Sequence, residues 1–178
     1  MTALDNLDDA RCVHVDESLA AAEIARRFDG PVVDVGSGGG APGIPLAAVL
    51  PERQVTLLES NGRKCVFLRE WAQEFPNVSV IQGRAEEQET DAYGVAVAKA
   101  LAPPVVAAEW CLPLVRPGGA VVLFVGPSAE PARVAEAAAQ LGGGEVQEAP
   151  GLLVLPKVEP TPQGFPRRPG VARKRPLA

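Results

Sequence analysis

Between Asp34 and Ala47 the chain reads DVGSGGGAPGIPLA, with five glycines and two prolines in fourteen residues, directly behind the apolar run Pro31-Val32-Val33. Glycine loses more backbone freedom on ordering than any other residue, so such a cluster marks a loop that needs positive φ or close approach to a ligand. The loop follows an apolar run and precedes IPLAAVL, a short helix with Pro45 in its first turn, where a missing N–H does no harm.

The rest of the chain alternates in the same way. Strands are expected at 31–35, 54–60, 77–82, 95–100 and 120–125, with EVQEA and LLVLPKV as two more. Helices are expected at 16–28, 44–50, 62–75, about 105–114 and 131–141. The last two strands lie so close that only a tight reversal can join them, so one is antiparallel. Strand–helix alternation implies an α/β fold with a mostly parallel, doubly wound sheet and right-handed crossovers. Ligands of such sheets sit beyond the carboxyl ends of the strands, where the strand order switches, and the glycine cluster falls there. In the helix 62–75, which Ser60 or Asn61 can cap, Val66, Phe67, Trp71 and Phe75 recur at helical spacing and are expected to face the core.

Length and composition bound the function. The 178 residues are 47% hydrophobic and 22% charged, ordinary for a single globular domain, and only 4% aromatic, so Val, Leu and Ala must build the core. The start of the chain is acidic and no apolar run approaches a membrane span, so a cytoplasmic protein with no membrane association is expected. Cys12, Cys65 and Cys111 show no CxxC pairing and read as reduced structural thiols, with no metal site. Thr161 to Ala178 holds Arg167, Arg168, Arg173, Lys174 and Arg175 and no acid, whereas residues 1–160 carry 12 basic and 22 acidic side chains. The expected organisation is a body at 1–160 and a basic, Pro-rich tail at 161–178 that meets an anionic partner. The body is expected to act as a monomer.

Three ligands compete for the glycine loop. A P-loop needs GxxxxGK[ST], which is absent, and Gly36, Gly38 and Gly43 do not keep the GxGxxG spacing of a dinucleotide site. Asp34, Gly36, Gly38 and Gly40 form acid-x-Gly-x-Gly-x-Gly, the pattern of the S-adenosylmethionine loop of class I methyltransferases. Glu59, at the end of the second strand and 23 residues past Gly36, can accept hydrogen bonds from both ribose hydroxyls. GRAEE, at 83–87, offers backbone amides and Glu86 for the adenine.

DVGSGGGAPGIPLA, VTLLESNGRKCVFL, NVSVIQGRAEE, KALAPP, RPGG and TPQGFPRRPGVARKRPL resemble, from about Val13 onward, the bacterial 16S rRNA guanine-N7 methyltransferases. These are the small-subunit rRNA methyltransferase G family, also called glucose-inhibited division protein B. The resemblance implies a class I fold, a seven-stranded Rossmann-like sheet with one antiparallel strand. It also implies S-adenosyl-L-methionine as cofactor and 16S rRNA in the small ribosomal subunit as partner. It carries cofactor contacts to Gly36, Ala41, Glu59, Ser60, Asn61, Ala85 and Glu86. Guanine N7 bears no proton, so the reaction needs alignment and not a general base; His14 reads as structural. Where the family shows an arginine after the fourth strand this chain has Lys99, the candidate active-site cation and cofactor contact. Lysine keeps the charge and loses the planar fork. Val125-Gly126 stands where the family commonly has Lys-Gly, and the segment before the first strand is short. The five cations of 161–178 are expected to contact RNA phosphates. A homologue that binds cofactor or RNA without turnover, a nucleotide-dependent oxidoreductase and a small-molecule methyltransferase stand as alternatives.

Overall fold

The computed structural model describes residues 17–178; Cys12 and His14 lie outside that range. Strands β1 (Val32–Val35), β2 (Val55–Glu59), β3 (Val78–Gln82), β4 (Tyr93–Lys99), β5 (Val115–Phe124), β6 (Gln147–Ala149) and β7 (Leu152–Pro156) form one sheet in the order β3-β2-β1-β4-β5-β7-β6. β3 through β5 pair in parallel, and β7 runs antiparallel to both β5 and β6. This is the expected sheet. Its order reverses between β1 and β4, the switch point at which ligands of such folds bind.

Alternation along the strands sorts two cores. Val33, Val35, Leu58, Ala96 and Ala98 face one side, covered by α4 (Pro104–Cys111), α5 (Pro131–Ala139) and Ala172 of the short α6 (Val171–Lys174). Val32, Leu57, Val95 and Val97 face the other, covered by α1 (Glu17–Ala25), α2 (Gly43–Val49) and Leu68 of α3 (Gly62–Ala72). Each fully buried Val or Leu contributes about 1.5–3 kcal/mol, and both faces being covered explains why the strands read as continuous apolar runs.

Three elements depart from expectation. The strand expected at 120–125 starts earlier. β5 already begins at Val115, and Arg116 to Gly118 loop outward while the pairing jumps from Tyr93↔Val115 to Val95↔Ala120; Gly118, at φ +84°, makes that bulge possible. The helix expected to 114 ends at Cys111 and tightens into a 3-10 turn at Leu112–Leu114, where Pro113 lacks an N–H. The aromatic stripe of α3 does not face the core. Cys65 and Leu68 are its buried residues, while Val66, Phe67 and Trp71 are half exposed and Phe75 lies past the helix end. α3 packs against β3, the edge strand, so its outer flank has no sheet left to cover.

Candidate cofactor cleft

Beyond Val35 the chain leaves the sheet through Gly36, Gly38 and Gly40, all at positive φ (+74°, +55° and +96°), a region open to glycine at no steric cost. The N–H groups of Gly36 and Ser37 both donate to Leu58 O (2.7 and 3.2 Å), and Gly40 N–H closes the turn on Ser37 O at 2.7 Å. A Cβ on Gly36 would stand 2.4 Å from Leu101 Cδ1, so glycine there is a matter of close packing as well as of φ.

Asp34, 1% exposed, sits beneath the loop. Its Oδ2 accepts from Gly43 N–H at 3.0 Å, pinning the start of α2 to β1, while Oδ1 has no hydrogen-bond partner among the described residues. Burial pushes the Asp34 carboxyl up from 3.8 to about 7, with the charge of Glu59 adding to the rise and the Gly43 N–H opposing it. Between those two values the folded chain holds a proton that the unfolded chain has released. Stability therefore falls as pH rises through this window, and the loss is complete above about 7. Asp34→Asn removes this titration. Its urea-unfolding free energy is expected to decline less between pH 4 and 7.5 than that of the unaltered chain, by up to about 4 kcal/mol; equal slopes would show that Asp34 ionises normally.

Glu59 joins the loop to the next helix. Its Oε2 accepts from Gly38 N–H at 3.0 Å and its Oε1 from Asn61 N–H at 2.8 Å. Asn61 caps α3, its Oδ1 accepting from the N–H groups of Arg63 and Lys64. Each Glu59 oxygen keeps a further lone pair for a ligand hydroxyl. Beside this scaffold lies a cleft of 240 Å³ whose wall includes Gly36, Ser60, Ala85, Glu86, Leu101 and Trp110. Of the sequence-derived contacts, Gly36, Ser60, Ala85 and Glu86 line it. Asp34, Gly38, Gly40, Ala41, Glu59 and Asn61 do not; they build the loop and caps at its rim.

Lys99 is not brought to this cleft. Along β4, Val95, Val97 and Lys99 share the face opposite the one the cleft opens from. The Lys99 ammonium pairs with Glu17 at 2.7 Å and stands 5.4 Å from the centre of the Phe124 ring. It lines a separate cavity of 620 Å³ with Glu17, Ala20, Phe124, Val125 and Gly126. Ala100, at φ +52°, turns the chain so that Leu101 reaches the cofactor side.

The basic stretch divides. Arg168, Arg173, Lys174 and Arg175 are exposed, whereas Arg167 is half-buried. Arg167 forks onto Glu109, a 2%-exposed carboxylate on α4, and donates to Arg175 O at 2.8 Å. Arg173 lies 5.2 Å over the Trp110 ring. The whole stretch is seated on the body, its entry held by Lys157, whose fully buried ammonium donates to Leu112 O, Leu141 O and Thr161 Oγ1. Burial lowers the Lys157 pKa and nearby Asp91 raises it. Sequence reasoning missed Leu101, Glu109, Trp110 and Lys157; a lone acid in the otherwise apolar α4 was the available signal for Glu109.

The family described as GidB, rRNA small subunit methyltransferase G, matches residues 1–153. The chain belongs to that family. A ribosomal RNA small subunit methyltransferase G from Rubrobacter xylanophilus is 40% identical over 96% of this chain and 71% of its own length. Another from Alkaliphilus metalliredigens is 34% identical over 99% of this chain and 82% of its own. In fold the chain matches a SAM-dependent O-methyltransferase from Thermotoga maritima (TM-score 0.64, 16% identity, 83% of this chain and 67% of that one). It also matches TYW2 of M. jannaschii in complex with AdoMet (TM-score 0.62, 20% identity, 79% and 71%). Membership in methyltransferase G makes the chain S-adenosylmethionine-dependent and removes the oxidoreductase reading. The cleft fits the nucleoside part of that cofactor. Its walls are apolar at Val35, Leu58 and Leu101, and the buried indole N–H of Trp110 has no partner among the described residues. Among the described residues no helix is long and apolar enough to cross a membrane.

Proposed function

We propose that this methyltransferase G protein transfers a methyl group from S-adenosylmethionine to N7 of a guanine in 16S ribosomal RNA. The observation that carries the reading is the glycine loop, tied by Glu59 to the α3 cap at the sheet's switch point, in a chain of this family. When bound, the cofactor supplies a methyl group on a positively charged sulfur. Gly36, Gly38 and Gly40 let the backbone pass close to it, Asp34 fixes the loop through Gly43, and Glu59 offers its remaining lone pairs to the ribose. N7 is an unprotonated acceptor, so no side chain has to remove a proton and the site works by alignment.

The acceptor base belongs in the second cavity, across Ala100, where Phe124 offers a face for stacking and the Lys99 ammonium a donor for guanine O6. Val125 lines this cavity at the place where the family commonly has a lysine. The decisive test is transfer of radiolabelled methyl to small subunits that lack N7-methylguanine. Label is expected on one guanine N7, and Lys99→Ala is expected to reduce it about a hundredfold while S-adenosylhomocysteine still binds. Measurable cofactor binding with no label from the unaltered chain would favour a homologue without turnover.

Arg168, Lys174 and Arg175, the three exposed cations on 161–178 that do not line the cofactor cleft, are the ones assigned to RNA phosphates. Replacing all three by Ala is expected to lower the slope of log affinity against log salt by about 2 to 3. An unchanged slope would take this segment out of the RNA interface.

A further inference from the structure

The sequence gives every cation of 161–178 the same task, but the fold turns one of them toward the cofactor cleft. Arg173 and Gly170 both line that cleft, together with Gly36 and Leu101. Gly170 N–H donates to Glu86 Oε1 at 3.2 Å, closing the segment onto the turn that follows β3. The Arg173 guanidinium lies 5.2 Å over the indole of Trp110, which lines the same cleft, is 8% exposed and has no partner for its buried Nε1 N–H among the described residues. A buried donor left unpaired costs free energy, and an acceptor on a ligand is one group that would satisfy it.

The segment is also held firmly where it meets the cleft. On one side of Gly170, Arg167 is forked onto buried Glu109. On the other, Ala172 is packed into the core and Arg175 offers its carbonyl back to Arg167. A contact placed between two such anchors has a fixed position, as a ligand contact requires.

We propose that residues 170–173 form the fourth wall of the cofactor cleft, with Arg173 and the indole N–H of Trp110 as contacts for the nucleoside of S-adenosylmethionine. This rests on the cofactor reading given above. The stacked guanidinium and indole present a flat surface suited to a purine or ribose face. The indole N–H supplies one directional donor for a ring nitrogen or hydroxyl. Arg173 is thereby a cofactor residue, and RNA contact on this segment falls to Arg168, Lys174 and Arg175.

The experiment is calorimetric titration of the full chain with S-adenosylhomocysteine. Arg173→Ala is expected to weaken binding about tenfold. Trp110→Phe, which keeps a ring under Arg173 and removes only the N–H, is expected to weaken it about fivefold. Arg173→Lys retains the charge without the plane and should fall between Arg173→Ala and the unaltered chain, while Arg27→Ala, another exposed arginine, should bind normally. Thermal unfolding of each variant reports whether it is folded, and Trp110→Phe keeps the test open if Arg173→Ala is not. Unaltered affinity in both folded variants overturns the proposal and leaves the cofactor reading standing. Absence of binding by the unaltered chain overturns both.

Discussion

Glu59→Ala is expected to weaken S-adenosylhomocysteine binding by about a hundredfold, equivalent to roughly 2.7 kcal/mol, and to lower stability as well. The carboxylate is 6% exposed and accepts one backbone N–H on each oxygen, from Gly38 at 3.0 Å and from Asn61 at 2.8 Å. Hydrogen bonds to a charged acceptor contribute about 1.5–3 kcal/mol each, and here they hold the glycine loop to the start of α3. Removing the side chain frees the N–H of Gly38, a residue at positive φ with no other acceptor among the described residues, and on the reading proposed above costs the ribose its acceptor. Glu59→Gln should fall between the two, because its amide keeps one acceptor and sets a donor against the other N–H. Calorimetric titration reads the binding and urea unfolding reads the fold. A Glu59→Ala protein that binds normally would remove Glu59 from the cofactor site.

The second large effect concerns stability. Arg167→Ala leaves Glu109, 2% exposed within the apolar α4, without its counter-ion. Breaking a buried pair from one side costs about 3–5 kcal/mol, which for a chain of this size lowers the thermal midpoint by roughly 10 °C. Replacing both partners, as in Arg167→Met with Glu109→Leu, should restore most of the loss, since a buried pair and a well-packed apolar substitute are close in free energy. If the single substitution leaves the midpoint within a degree or two, the pair is not holding residues 161–178 on the body.

Much of the fold was legible because each central strand is an apolar run bounded by Gly, Pro or polar residues. The parallel sheet is covered on both faces, which makes such runs continuous. The glycine loop was legible from its spacing, and Asn61 as a cap from its residue type. The face of α3 was not. Val66, Phe67 and Trp71 match helical periodicity as well as Cys65 and Leu68 do, and only the position of α3 at the sheet edge decides which set is buried. Lys99 shows the same limit at the site. Its place after the fourth strand was readable, but the side of the sheet it takes follows from the phase of β4, shared with Val95 and Val97. The cations of 161–178 look equivalent in composition, and they differ because Glu109 and Trp110, some sixty residues earlier, wait for two of them.

Ala100 stands between the two cavities. One residue of left-handed backbone, at φ +52°, lies between Lys99 in one cavity and Leu101 in the other. The two cavities draw on opposite faces of the same sheet and share no lining residue. On the reading proposed above, substitutions around Lys99 and Phe124 alter how the acceptor is held and leave the contacts of the glycine loop and Glu59 as they are.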